Sequence, residues 1–109
     1  MLVVTRFRVP ADEPGAVDTF RGDLTAAHAT LAAQQGYVDG WIGRNVDDPA
    51  LWTLTTRWQH VGAYRRALST YDAKLTAVPV LGRALDEPSA YEVVDVDGEL
   101  NRSEPRETG

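Results

Sequence analysis

The sequence predicts an α+β fold in which four strands and two helices follow the order β-α-β-β-α-β. Apolar and polar residues alternate over residues 2–9 and 51–58, which is the two-residue period of a half-buried strand. Over residues 17–31 and 61–75 the apolar residues recur at three- and four-residue steps, the period of an amphipathic helix. Glycine, proline and aspartate separate these segments, as turns require.

The first strand and the first helix come from residues 2–9 and from the segment that ends near Gly36. Asp12 to Pro14 lie between them and supply acidic capping residues and a proline suited to a first helical turn. Glycine after the last apolar residue is a common helix end. One face of the strand carries Val3, Thr5, Phe7 and Val9, and the helix stripe contains Val17, Phe20, Leu24, Ala27, His28 and Leu31.

A hairpin follows, with strands predicted at 37–46 and 51–58 and a turn at Asp47, Asp48 and Pro49. The first of these strands is the weaker prediction because its two glycines, Gly40 and Gly43, lower strand propensity and indicate a bulge or a close backbone approach. The second strand sends Trp52, Leu54, Thr56 and Trp58 to one side and Leu51, Thr53, Thr55 and Arg57 to the other. We assign the tryptophan side to the helices.

The second helix is predicted to begin around His60 and to loosen over residues 69–72. Its apolar stripe consists of Val61, Tyr64, Leu68, Tyr71 and Leu75. Pro79 should end any continuation, because proline cannot sit in a helix interior without losing a hydrogen bond. Residues 78–89 are then irregular or carry one short turn, and the last strand is predicted at 90–96. We place the domain at residues 1–97 and interpret the polar tail, 98–109, as disordered.

This order of elements predicts the ferredoxin-like arrangement, a four-stranded antiparallel sheet with both helices on one face. Two helices cover only that face. The opposite face carries Leu2, Val4 and Leu51 among threonines, which is too apolar to remain in water. We therefore expect a homodimer that forms through this face of the sheet.

Composition excludes several classes of function. The 109 residues contain no cysteine, so disulfides, thiolate zinc sites and thiol nucleophiles are excluded. A net charge of −5 disfavours nucleic acid as a partner, since phosphate binding depends on clustered lysine and arginine. No apolar run approaches the roughly 20 residues of a membrane span, and no signal-peptide layout is present. We expect a cytoplasmic protein with no membrane partner.

Three residues are candidates for chemistry. Trp58 ends the third strand and Tyr64 lies on the inner stripe of the second helix, so together they could form the wall of a pocket. His28 faces the same interior and could act as an acid or base. Buried aromatics and a lone inward histidine are equally typical of a packed core, and that alternative stays open. With two histidines and no repeated His/Asp/Glu spacing, we expect no metal site.

The segment LWTLTTRWQHVGAYRRALSTYDAK, residues 51–74, resembles the antibiotic biosynthesis monooxygenase family of dimeric α+β barrel proteins. In that family a strand ends in tryptophan and an Ala-Tyr-Arg helix follows, and the likeness extends over roughly residues 2–96. The resemblance implies a pocket between sheet and helices and oxidation without metal or flavin. It matches Trp58 and Tyr64 to positions used for substrate binding and oxygenation. We predict Trp58 and His28 as the catalytic residues, and we predict substrate contacts from Tyr64, Trp52, Leu54, Phe20, Leu68 and Arg83.

Three positions depart from the family pattern. Leu54 stands where such oxygenases place a polar asparagine, and Val78 stands where an arginine is expected, with Arg83 as a loose substitute. Leu68 occupies the place of the histidine of haem-degrading relatives, which disfavours haem cleavage. The resemblance implies a cofactor-independent monooxygenase that oxidises an aromatic or quinol-like small molecule with O2. The alternatives are a non-catalytic ligand-binding or accessory dimer, and an isomerase or cyclase that uses His28 for proton transfer.

Overall fold

A computed structural model describes residues 1–95, and it confirms the α+β class and the single four-stranded antiparallel sheet. The predicted tail, residues 98–109, lies outside the described residues. In chain order the elements are β1 Leu2–Arg8, α1 Ala16–Ala32, β2 Tyr37–Arg44, β3 Leu51–Trp58, α2 Val61–Leu68, α3 Tyr71–Thr76, α4 Val78–Leu81 and β4 Ala90–Tyr91.

The sheet has the strand order β2-β3-β1-β4. β3 pairs with β1 along its whole length, from Leu2 opposite Arg57 to Arg8 opposite Leu51. The β2–β3 hairpin shifts register between Tyr37 and Asp39, which places a bulge immediately before Gly40. The hairpin and the irregularity predicted for its first strand are both confirmed.

The two faces of the sheet divide as the alternation predicts. The inner face, under the helices, carries the buried side chains Val3, Thr5, Phe7, Trp52, Leu54, Thr56 and Trp58. Phe20, Leu24, Ala27 and Leu31 of α1 pack against them and close the core. The outer face carries half-buried Leu2, Val4, Leu51, Thr53 and Thr55, and no helix within residues 1–95 covers it.

Gly36 joins α1 to β2 in a conformation that requires glycine. Its φ of +90° lies in the left-handed region, and a Cβ built there would stand 2.4 Å from the Cβ of Ala63. The end of α1 and the first turn of α2 therefore approach each other over a residue without a side chain. A side chain at this position would push the start of α2 away from the connection between α1 and β2.

The second helical region differs from the prediction in phase. The break predicted over residues 69–72 is present, because Thr70 caps a new helix, α3. Tyr71 and Leu75, predicted to face inward, are 75% and 60% exposed. The interruption rotates the helix about its axis, so Ala73 and Ala77 face the core instead.

Pro79 does not end the helical region, although the sequence predicted that it would. It occupies the first turn of α4, where a missing N–H removes no helical hydrogen bond.

The last strand is shorter than predicted. β4 contains only Ala90 and Tyr91, whereas the alternation indicated a strand over residues 90–96. Tyr91 pairs with Leu2, the first residue of β1, so residues beyond Tyr91 run past the end of their partner strand. Val93 and Val94 are left exposed there, and the strand pattern of this segment has no neighbour to pair with among the described residues.

Candidate active site

Four aromatic side chains form a continuous row beneath α1 and α2. His28 of α1 lies against Tyr37 at the start of β2, with ring centroids 5.9 Å apart. Tyr37 meets Trp58 edge to face at 5.5 Å, because these two residues are paired across the hairpin. Trp58 in turn contacts Tyr64 of α2 at 5.4 Å. The structure therefore brings together three predicted site residues, His28, Trp58 and Tyr64, and inserts a fourth, Tyr37, that the sequence analysis missed.

Trp58 lies at the centre of this row and is fully enclosed. It is 2% exposed, and its Nε1 donates a hydrogen bond to the buried Thr56 Oγ1 at 2.8 Å. The indole is thus a satisfied core side chain. It borders none of the three cavities described below, whereas its neighbour Tyr64 borders one of them.

His28 and Tyr37 form the polar end of the row. His28 Nε2 and Tyr37 Oη are 2.7 Å apart and share a hydrogen bond. Burial lowers the pKa of His28 below its ordinary value, and burial together with the nearby Asp39 carboxylate raises the pKa of Tyr37. Both shifts favour a neutral pair. A Cβ at Gly40 would stand 2.8 Å from Tyr37 Oη and 3.0 Å from His28 Nε2, so the missing side chain makes room for the pair.

Tyr64, at the other end of the row, borders a cavity of about 430 Å³. We call it the Tyr64 cavity; its other walls are Thr5 and Arg6 of β1 and the connection between residues 81 and 89. Two backbone hydrogen bonds, Leu85 N to Arg6 O and Val4 N to Ser89 O, tie that connection to β1. Burial raises the pKa of the Tyr64 phenol. No hydrogen bond to Tyr64 Oη is found within the part of the chain that the structure describes.

The rim of the Tyr64 cavity is charged. Arg6 donates two hydrogen bonds to Glu87, from Nε to Oε1 at 2.6 Å and from Nη2 to Oε2 at 2.8 Å. This contact lowers the pKa of Glu87, although the pair is largely exposed and contributes little to stability. Asp86 lies beside it on the same rim. The cavity therefore has an acidic mouth and a phenolic wall.

The remaining predicted site residues lie away from the Tyr64 cavity. Phe20 and Trp52 form a second aromatic contact, with centroids 5.7 Å apart, and the Arg83 guanidinium stacks on Phe20 at 5.2 Å. Arg83 also contacts Asp23 at 3.3 Å. Leu54 is buried in the core and Leu68 packs against it. Of the eight predicted site residues, Tyr64 is the one that borders the Tyr64 cavity or either of the two cavities described next.

Two further cavities were found outside the row. One, of about 490 Å³, lies between His60, Val61 and the exposed end of β4. The other, of about 310 Å³, is a depression in the outer face of the sheet around Leu51 and Thr53. Within residues 1–95 no three His, Asp or Glu side chains stand close enough to hold a metal ion, and no helix is long and apolar enough to cross a membrane.

Solved structures similar to this chain belong to one fold family. SnoaB, a cofactor-independent oxygenase from Streptomyces nogalater, is 23% identical over 90% of this chain and 96% of its own, with a TM-score of 0.72. Rv0793 from Mycobacterium tuberculosis is 19% identical over 89% and 97%, with a TM-score of 0.66. An antibiotic biosynthesis monooxygenase is 14% identical over 87% and 100%, with a TM-score of 0.65.

At these identities the likeness establishes the fold alone, which is that of the antibiotic biosynthesis monooxygenase proteins. No family sequence model and no curated protein matches the chain.

Proposed function

We propose that this chain, which has the fold of the antibiotic biosynthesis monooxygenases, oxidises an aromatic or quinol-like small molecule with O2 in the Tyr64 cavity, without a cofactor. The observation that carries the proposal is the cavity itself, about 430 Å³ and lined by Tyr64, whose hydroxyl has no hydrogen-bond partner among residues 1–95. Its volume suits one small aromatic molecule. The likeness to SnoaB, described as a cofactor-independent oxygenase, supports the choice of reaction.

The chemistry requires a substrate that ionises readily, such as a hydroxyanthrone. Its anion gives one electron to O2, which leaves a substrate radical and superoxide. These two combine to form a C–O bond, and the hydroperoxide takes a proton and loses water to leave a new carbonyl group. One oxygen atom enters the product and the other leaves as water, so the balance needs no external reductant.

Tyr64 would act on the anion. Because burial raises the pKa of its phenol, Tyr64 stays protonated at neutral pH and donates a hydrogen bond to the negatively charged substrate oxygen. Such a donor favours the ionised substrate, which is the form that gives an electron to O2. His28 lies beyond Tyr37 and Trp58, outside the Tyr64 cavity, so the proposal gives it no direct proton transfer to substrate.

The test compares oxygen uptake by the unmodified chain and by Tyr64→Phe, with a panel of hydroxyanthrones and hydroquinones. Removing one donor to a developing oxyanion lowers kcat by about 10²–10³-fold in well-studied enzymes, and we expect a loss of that order. Tyr71→Phe is the matched control because Tyr71 lies outside the Tyr64 cavity on an exposed face. No uptake above the spontaneous rate, or equal rates in the chain and in Tyr64→Phe, would contradict the proposal.

A second candidate function is a ligand-binding protein without turnover. It is favoured by the closed environment of Trp58, whose Nε1 is already bonded to Thr56, and by the apolar Leu54 on the same strand. Neither side chain offers a free polar group to a molecule in the Tyr64 cavity. Ligand-dependent quenching of tryptophan fluorescence without any oxygen uptake would support this function over the oxygenase.

We also propose that a second copy of the chain covers the outer face of the sheet. Trp41, on the edge strand β2 and paired with Thr55, is 58% exposed on that face, and half-buried Leu2, Val4 and Leu51 lie on the same face of β1 and β3. Apolar side chains left uncovered on one face, with the ion pairs Arg6–Glu87 and Arg57–Asp39 among them, are typical of an interface. Isologous packing of the same face from two copies would bury all of these side chains at once.

A further inference from the structure

The row of rings begins at Tyr37, whose phenol is in contact with a base, and ends at the Tyr64 cavity. The ring centroids of Tyr37 and Trp58 are 5.5 Å apart, and those of Trp58 and Tyr64 are 5.4 Å apart. Each ring from Tyr37 to the cavity wall is therefore in contact with the next. Electron transfer between aromatic side chains falls steeply with distance, and contacts of this kind permit successive short steps. The row thus connects the cavity to a residue that the proposed oxygenase chemistry does not use.

The base in contact with Tyr37 is His28. When the imidazole proton is on Nδ1, Nε2 accepts a hydrogen bond from the Tyr37 hydroxyl across 2.7 Å. Loss of an electron makes a phenol strongly acidic, so an adjacent acceptor makes the oxidation far easier. Burial lowers the pKa of His28, so a base free to accept a proton is present at neutral pH. Gly40 keeps the space around both atoms open.

We propose that Tyr37 is a redox-active tyrosine which returns an electron to an oxidising radical in the Tyr64 cavity through Trp58, while its proton passes to His28 Nε2. The oxidant belongs to the class of organic peroxyl or phenoxyl radicals. The radical gains one electron and becomes an anion, Tyr37 becomes a neutral phenoxyl radical, and His28 becomes an imidazolium. The inference rests on the proposed function only for the source of that radical.

The function of such a pair is to remove radicals that escape from productive C–O bond formation. A radical left at the wall of the cavity would attack Tyr64 or the nearby backbone. Moving the radical past Trp58 places it on the Tyr37 oxygen, away from Tyr64 and from the cavity, with the phenol proton held on His28 Nε2. Trp58 is well suited to the intermediate position because it is buried and its Nε1 is held by Thr56.

The test uses a photochemical oxidant in place of the natural radical. Because the chain contains no cysteine, Asp86→Cys supplies one thiol at the rim of the Tyr64 cavity, and a ruthenium polypyridyl complex is attached there. A light flash with a soluble electron acceptor then generates Ru(III) at the rim. The exposed Tyr71 and Tyr91 are both changed to Phe in every sample, which leaves Tyr37 and Tyr64 as the tyrosines that can be oxidised.

We expect an electron paramagnetic resonance signal of a tyrosyl radical that Tyr37→Phe abolishes. In His28→Gln, which keeps a hydrogen-bond acceptor but not a base, its rate of formation should fall by about 10²-fold, the lower end of what a positioned proton acceptor contributes. In Trp58→Phe the radical should also form more slowly. Circular dichroism and thermal midpoints establish that each variant is folded.

Two results would overturn the proposal: a tyrosyl signal that survives Tyr37→Phe unchanged, and an equal rate of formation in His28→Gln. High-field spectra of the labelled chain with His28 and Tyr37 in place give a second measurement. A low principal g value indicates a phenoxyl oxygen hydrogen-bonded to an imidazolium, and the high value of an isolated phenoxyl would equally refute the pair. No substrate is present, so failure here leaves the oxygenase proposal intact, and absence of oxygen uptake leaves this result intact.

Discussion

Gly40 is the residue on which the geometry of the aromatic row depends most directly. A Cβ at this position would stand 2.7 Å from Thr55 O, a backbone atom of the neighbouring strand, as well as close to Tyr37 Oη and His28 Nε2. Gly40→Ala should therefore lower the free energy of unfolding by about 1–3 kcal/mol, the usual cost of forcing an atom into a packed site. Urea unfolding followed by circular dichroism measures the change.

The matched control for this substitution lies on α1. Gly22→Ala makes the same chemical change, but a Cβ at Gly22 would meet nothing within 4 Å. Because alanine has the higher helix propensity, Gly22→Ala should raise the free energy of unfolding by about 0.5–1 kcal/mol. Equal effects of the two substitutions would show that the space around Gly40 is not constrained as the structure describes.

The buried environment of His28 should appear in the dependence of stability on pH. Burial lowers its pKa in the folded chain below the ordinary 6.5, so as the pH falls the unfolded chain binds the proton first. The stability that the neutral imidazole of His28 contributes is fully present above pH 6.5. It is lost as the pH falls through 6.5 towards the lower pKa of His28 in the folded chain.

Between about pH 8 and pH 5.5 the thermal midpoint should therefore fall for the unmodified chain and fall less for His28→Gln, since most carboxylates titrate below this window. His60→Asn, which keeps His28 and a side chain able to cap α2, should retain the full decrease. The idea fails if His28→Gln loses as much stability as the unmodified chain over the same range.

At the level of single residues, the sequence predicts which side chains face inward in regular strands and fails where the phase of an element changes. Trp52 and Trp58 are buried as the two-residue period requires. Tyr71 and Leu75 are exposed, because the interruption before α3 rotates everything that follows it. Tyr37 carries no periodic signal of its own. Its place opposite Trp58 follows only from the hairpin register, which shifts between Tyr37 and Asp39.

At the scale of elements, the break between α2 and α3 is built around one hydroxyl group. Thr70 Oγ1 donates to Ala67 O at 2.8 Å, at the end of α2, and accepts from Ala73 N at 3.3 Å, in the first turn of α3. Thr70→Ala removes both contacts and should lower the free energy of unfolding by about 1 kcal/mol, the usual value for an N-cap. Denaturant titration at fixed pH measures the loss.

Thr25→Ala makes the same change in the middle of α1, where Thr25 Oγ1 bonds the Arg21 carbonyl on an exposed turn. Alanine is the better helix former there, so the free energy of unfolding should stay the same or rise by a few tenths of a kcal/mol. A loss in Thr25→Ala as large as that in Thr70→Ala would remove the capping role assigned to Thr70.

Element boundaries followed from the sequence where the signal was local. The glycine after α1 and the turn between β2 and β3 are short-range features, and both elements end within a few residues of their predicted limits. The limit of β4 is not local. Its alternation extends to residue 96, but pairing requires a neighbouring strand, and β1 offers one only as far as Leu2. The alternation correctly predicted that this segment forms a strand. It could not show that β1 ends at Leu2 and leaves the rest of the segment without a strand to pair with.

At the scale of the whole molecule, the proposed dimer makes Trp41 the side chain to test. Trp41→Glu places a charge on the outer face and should shift the particle from twice the 12.0 kDa chain mass to a monomer in sedimentation velocity runs at micromolar concentration. Val46→Glu is the matched control, because Val46 is 96% exposed in the hairpin turn and should tolerate the same charge. A monomer in the unmodified chain would refute the interface.

The Tyr64 cavity itself was not predictable from sequence patterns. Its walls come from β1, α2 and the irregular connection between residues 81 and 89, which carries no periodicity. Only the folded chain shows that this connection lies along the edge of β1, held by Leu85 N to Arg6 O. The sequence indicated Tyr64 through its inward stripe. That it borders a cavity, while Trp58 does not, depends on contacts between distant segments.

The strand order β2-β3-β1-β4 also has a kinetic consequence. β2 and β3 form a local hairpin that can assemble early, whereas β1 must find β3 across a loop that contains all of α1 and β2, with Leu2 opposite Arg57. Closing such a loop is slow because chain entropy is lost before any contact compensates for it. The formation of the β1–β3 ladder should therefore limit the folding rate, and during synthesis β1 would have no partner in β3 until the chain had grown as far as Leu51.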